Sequence, residues 1–311
     1  MQTGGKDMTK LSLAILLILA LSACSPKRVA VGILADSLSA GGGVMVADDD
    51  PELIREALPF GLKFYESLLA EVPEHRGLLK VTAEGFTAYG YLLQQRADLI
   101  DARDLAGARE LRSRAHKLYL RGRDYALRGL ELRHQRFAST LLADRAGALA
   151  RTTAEDLPFL YWAGASWAGA FSAAKDDMDL LAELPIAADL VARVLELDDG
   201  FEDGSAHEFF ISYEGSRPGG SAEKARRYYQ RALELSQGLR GSVHLALAEA
   251  VSVREQNLPE FQDLIAAVLA VDPDREPRLR LVNTISRRRA LWLRSRIPEL
   301  FLAYEAEGGL S

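Results

Sequence analysis

The chain of 311 residues holds one cysteine, Cys24, so no internal disulfide can staple the fold. Its five histidines (His75, His116, His134, His207 and His244) are scattered without metal-ligand spacing, so no metal is expected. Basic excess is lacking too. Lys and Arg number 38 against 44 Asp and Glu, a net charge of −6, which argues against nucleic acid as a partner. The N-terminal apolar run, Leu11 to Leu21, is about half the ~20 residues that a spanning helix needs. What remains is 48% apolar and 26% charged, the balance of a globular chain with a substantial core.

Lys6 and Lys10 stand before that apolar run, and Leu21-Ser22-Ala23-Cys24 follows it. A basic start, a short apolar stretch and small residues before the cut describe a signal peptide. Leu, two small residues and Cys resemble the lipobox of bacterial lipoproteins. Cys24 is therefore expected to become the mature N-terminus and to carry lipid, which needs no second thiol. Ser25, rather than Asp, favours the periplasmic face of the outer membrane over retention at the inner one. The expected organisation is a signal peptide over 1–23, an anchor segment with a short helix over 24–50, and a helical repeat domain over 51–311. The segment from Met8 is a complete signal by itself, so either Met1 or Met8 serves as the start.

The fold is expected to be all-α. SAEKARRYYQRALELSQG (221–238) places Ala225, Tyr229 and Ala232 on one helical face, with Ser221 as cap and Gly238 as terminator. Small–aromatic–small at this spacing fits the second helix of a tetratricopeptide (TPR) hairpin. The ending echoes at RVLELDD from Arg193 and AAVLAVDP from Ala266, at steps close to the roughly 34-residue TPR period. The expected architecture is a stack of TPR-like hairpins, an α-solenoid or ring. Further helices are expected over 27–39, 51–72, 76–103, 105–132, 184–197, 241–256 and 258–271, with one around 141–151 and another in the stretch 156–174. Asp50 and Pro51 start the helix at 51. The seven arginines at or beside the helix at 105–132 fit a solvated, ion-paired face. A last helix from Arg278, with Leu281, Ile285, Leu291 and Trp292 as its apolar side, is expected to cap the stack.

Large aromatics concentrate in two places: Phe159, Tyr161, Trp162 and Trp167, and then Phe209, Phe210 and Tyr213. They fill a tight helix core or line an apolar cavity, with Tyr213 and Arg217 at its mouth. An arginine there can hold a carboxylate in bidentate fashion. An enzyme would need a buried acid in a cleft. Glu84 in AEGF and Glu208 in HEFF are the carboxylates set among apolar or aromatic neighbours, and neither has a partner visible in sequence. No catalytic residue and no cofactor is therefore expected.

Six stretches, in order, carry a family resemblance: DDDPELIREALPFGLKFYESLLAEVPEHRGLL (48–79), GFTAYGYLLQQRADL (85–99), RAHKLYLRGRDYALRGLE (114–131), DLPFLYWAGASWAGAFSAAKD (156–176), LPIAADLVARVLELDDGFEDGSAHEFFISYEGSRPG (184–219) and RLVNTISRRRALWLRSRIPELF (280–301). The chain resembles the TPR-containing lipoproteins associated with tripartite ATP-independent periplasmic (TRAP) transporters, the TatT component family. The resemblance implies a TRAP-type periplasmic solute-binding protein as partner, a pore through each helical ring that admits a small carboxylate or hydrophobic ligand, and homo-oligomerisation, with a trimer among the states it allows. The competing expectation is an envelope-assembly TPR lipoprotein, serving outer-membrane protein insertion or pilus assembly, with no ligand.

Overall fold

The computed structural model describes residues 26–40 and 43–302. Cys24 and the signal segment lie outside the described residues. The structure is 82% helical with no strands among the described residues.

In chain order the helices are α1 Pro26–Ala40, α2 Gly43–Val46, α3 Pro51–Glu71, α4 Arg76–Ile100, α5 Leu105–Glu131, α6 Phe137–Ala143, α7 Arg145–Ala150, α8 Leu157–Ala173, α9 Met178–Leu197, α10 Phe201–Ser216, α11 Ala222–Leu235, α12 Gly241–Leu247, α13 Leu258–Ala270, α14 Arg280–Ser295 and α15 Ile297–Leu300. Local chemistry sets most starts. Asp50 accepts from the amides of Glu52 and Leu53, with Pro51 at the first helical position, and Ser221 accepts from Lys224. Consecutive helices pack as antiparallel neighbours: α4 on α5, α8 on α9, α10 on α11 and α12 on α13. Glycines allow the closest approaches. A Cβ on Gly129 of α5 would meet the Phe159 ring of α8 at 2.0 Å, so that ring fits only because nothing stands there. The expected face of α11 is present: Ala225 and Ala232 are fully buried, and the Tyr229 hydroxyl lies 2.9 Å from His244 Nδ1.

Several boundaries differ from the sequence expectation. The expected helix around 141–151 is two short helices, because Asp144 leaves helical geometry and caps the second at the Gly147 amide. Helix α9 begins at Met178 under an Asp177 cap, and Pro185 sits inside it. Phe201 opens α10, but Glu202, Asp203 and Gly204 all have positive φ, forming a left-handed turn within DDGFEDG (198–204). The expected helix over 241–256 changes at Ala248 into a π-helical segment, Ala248–Ser252. Gly215 of α10 nests against Ala250 there, where a Cβ would be only 2.5 Å away.

The last helix differs most. Leu291 is exposed, and the buried positions of α14 are Asn283, Ser286, Ala290 and Leu293. The last helix, expected to cap the stack, returns to its beginning, the ring form of the expected architecture. It packs on α2 and α3, and Leu281 and Ile285 lie against the N-terminal core. Arg280 donates to the Ala47 carbonyl, Arg288 pairs with Glu52, and Arg289 reaches Asp98 of α4 at 2.9 Å. The hairpins therefore close into a ring. Helices α4, α8, α10, α12 and α14 form the inner layer, and α5, α9, α11 and α13 the outer one.

Candidate functional site: the lumen of the ring

The inner helices have an apolar side toward the outer layer and a second, solvent-accessible side. On α4 the open stripe is Lys80, Glu84, Ala88, Tyr91, Gln95 and Asp98, spaced as one helical face. Their surroundings show where this face points. The Tyr91 hydroxyl is raised far above its ordinary value, by burial first and then by the charge of Glu249, with Glu208 and Asp98 adding to it. Those groups belong to the π segment, to α10 and to α4. The Tyr161 hydroxyl of α8 is raised in the same way, by burial and then by Glu202, and it lies against Ser205 and Arg240. Charged groups of α4, α10, the start of α12, the π segment and α14 thus lie close to one another, joined by the Arg289 and Arg240 pairs.

Glu84 and Glu202 mark its acidic part. Burial raises the Glu84 carboxyl. The Glu202 carboxyl is raised by burial and then by the nearby charge of Glu84. Yet Glu84 is only half-buried and Glu202 is exposed. Water reaches both carboxylates while protein surrounds them, the condition of groups lining a lumen. Glu202 sits in the left-handed turn at 202–204. Opposite charge is also present. Arg289, 10% exposed, bridges Asp98 and Glu249 at 2.9 and 2.8 Å, and Arg240 Nε lies 3.4 Å from Glu208 Oε2. Lys80 has no ion-pair partner among the described residues.

The aromatics named from sequence divide into three environments. Phe159 and Trp167 are buried in the packing of α8; Arg76 stacks on the first, and Trp167 donates to Glu183. Tyr161 and Trp162 are half-buried and meet edge to face at 5.1 Å, and Trp162 Nε1 has no hydrogen-bond partner among the described residues. Phe209, Phe210 and Tyr213 form a separate cluster on α10, where Phe210 is buried against Tyr228 of α11. Arg217 stacks on Tyr213 and donates to both carboxylate oxygens of Glu214 at 3.0 and 2.9 Å. The arginine expected to meet a ligand carboxylate already holds one from the protein. Glu84 and Glu208, noted in sequence for their apolar neighbours, both belong to the lumen. Lys80, Tyr91, Asp98, Glu202, Arg240, Glu249 and Arg289 escaped sequence reading. The one available signal was the second accessible stripe on α4, which looks like any solvated helix face until the ring closes over it.

The architecture is a closed ring of TPR-like hairpins with ionisable groups on its inner helices. The family described as TRAP transporter T-component matches residues 47–301. The chain belongs to this family and is a TRAP transporter component, which associates it with other TRAP parts and with the cell envelope. It is also similar to an uncharacterized protein of Treponema pallidum (strain Nichols), 28% identical over 267 residues that cover 83% of each chain.

Proposed function

We propose that the protein is a lipid-anchored periplasmic scaffold that docks a TRAP solute-binding protein and passes a small ligand through the ring, without catalysing a reaction on it. The carrying observation is the lumen, whose groups are water-accessible yet enclosed by protein on the inner helices. Its polar lining favours a polar ligand over a hydrophobic one. A carboxylate entering it meets Lys80, since Arg217 is held by Glu214 and Arg240 by Glu208, Ser205 and the Glu202 carbonyl. Docking is supported by an apolar stripe on the outer side of α3, where Leu53, Phe60 and Phe64 are exposed and the two phenyl rings stack at 6.3 Å. Family membership favours this reading over general envelope assembly.

The test is a plug. Ala88 is exposed on the lumen stripe of α4, so Ala88→Trp adds bulk inside the ring without overpacking the core. Ligand uptake should fall while thermal melting and co-purification with the solute-binding protein are unchanged. Wild-type uptake in a stably folded Ala88→Trp protein leaves only docking. Failure of the solute-binding protein to co-purify from the native envelope overturns the docking role.

A further inference from the structure

Helix α1 is apolar on two sides. One side, Val31, Ala35 and Leu38, packs on the body, with Ala35 fully buried. The other side is open. Val29 is 54% exposed, Ile33 66% and Leu34 41%, and Ala30 and Ser37 complete the stripe at helical spacing. Polar borders separate the sides. Lys27 pairs with Glu71 at 2.7 Å, and Asp36 pairs with His75 at 3.1 Å. These two bonds and the buried Ala35 fix α1 across the corner where α3 turns into α4. Contiguous exposed apolar surface of this kind marks an interaction site.

We infer that the open side of α1 lies on the lipid bilayer, in the interfacial plane, and sets how the ring stands on the membrane. The inference rests on the proposed acylation of Cys24. Chain length selects the occupant. One residue, Ser25, separates Cys24 from Pro26, and the two steps between them reach at most about 7 Å. The helix then rises about 4.5 Å from Pro26 to Val29. An acylated Cys24 therefore holds Val29 within about 12 Å of the lipid, close to the depth at which interfacial helices bury their apolar face. A membrane-spanning alternative has composition in its favour, since Lys27–Val46 has a mean hydropathy of 1.6. Packing opposes it. A spanning helix cannot keep Ala35 against the soluble ring or pair Lys27 with Glu71 and Asp36 with His75. The helix lies on the membrane and does not cross it.

A full-length Ile33→Cys protein tests this. Acylation blocks Cys24, so the introduced thiol is the single labelling position. An environment-sensitive fluorophore is attached there and, in a second protein, at Gln230→Cys on exposed α11. Both are reconstituted in vesicles of phosphatidylethanolamine and phosphatidylglycerol carrying a nitroxide on the acyl chain. The label at 33 should shift its emission to the blue and be quenched by the nitroxide, whereas the label at 230 should do neither. Mass spectrometry of the same preparation reads Cys24. With Cys24 acylated, a water-exposed label at 33 overturns the membrane contact and leaves the anchor standing. A blue-shifted label that the nitroxide does not quench means a protein covers this side, and also overturns it. An unmodified Cys24 overturns the anchor and, with it, this inference.

Discussion

Asp156 shows how much one side chain can organise. It is fully buried, and its carboxylate accepts from Arg76 at 3.1 Å, Arg133 at 3.2 Å, His134 at 2.9 Å and the Thr153 amide at 3.0 Å. Burial alone would raise its pKa, but the hydrogen bonds from His134, Thr153 and Arg76 outweigh burial and hold it below the ordinary value. A carboxyl lowered on folding contributes stability above its unfolded pKa, and that stability disappears as pH falls through the folded one. Asp156→Asn leaves the cations without their charge partner. It should cost on the order of 3–5 kcal/mol, with the deficit shrinking in acid; denaturant melts across pH check this. Glu84 and Glu202 have the opposite sign. Their folded pKa values are raised, so they favour folding in acid and that contribution is lost as pH rises through the folded value. The pair Glu84→Gln and Glu202→Gln should therefore raise Tm near neutrality, and the gain should vanish near pH ~4. A gain equal at both pH values would mean that the two carboxylates do not share an enclosed space.

At the scale of the element, α11 makes the sharpest claim on packing. Ala232 is fully buried, and the α-carbon of Ala232 lies 3.2 Å from where a Cβ on Gly204 would be. Overpacking such a position costs about 1–3 kcal/mol, so Ala232→Trp should lower Tm; an unchanged melt would refute this contact. The small–aromatic–small face of α11 was legible in sequence, and so was the Asp50–Pro51 start of α3. These features depend on residues a few positions apart. The arginines of α5 were also legible as an ion-paired face: Arg112 pairs with Asp98 and Asp101, and Arg121 with Glu66 while it stacks on Phe86. What stayed hidden depends on distant chain. The helix expected over 184–197 in fact begins at Met178, where Asp177 caps it. The π segment has no composition of its own and is shaped by its contact with Gly215. Arg289 resembled its exposed neighbours Arg287 and Arg288 until α14 returned to α4. The lumen was illegible for the same reason, since its groups come from helices separated by most of the chain.

Ring closure is the property of the whole molecule on which the lumen depends. A linear solenoid exposes its inner helices along an open groove, whereas closure makes the same helices a wall. One seam closes this ring, between α14 and the α2–α4 region. Its most enclosed part is Arg289, which bonds Asp98 on one side and Glu249 on the other, and whose guanidinium lies 4.3 Å over the Trp292 ring. Removing the arginine leaves Glu249 without its ion-pair partner and Asp98 held by Arg112 alone, and a neutral residue in place of Glu249 relieves the unpaired charge. Arg289→Met should therefore loosen the seam, and Arg289→Met combined with Glu249→Gln should restore part of what was lost, with Asp98 still paired to Arg112. Hydrogen exchange distinguishes a seam from an ordinary core contact. In Arg289→Met, protection should fall in α14, α2 and the start of α3, and hold in α8 and α9 on the far side of the ring. Ligand uptake should fall together with that local protection, because a ring open at its seam leaks sideways. Uniform loss of protection would make Arg289 a general core residue. Unchanged uptake with an open seam would mean that the ligand does not travel through the lumen.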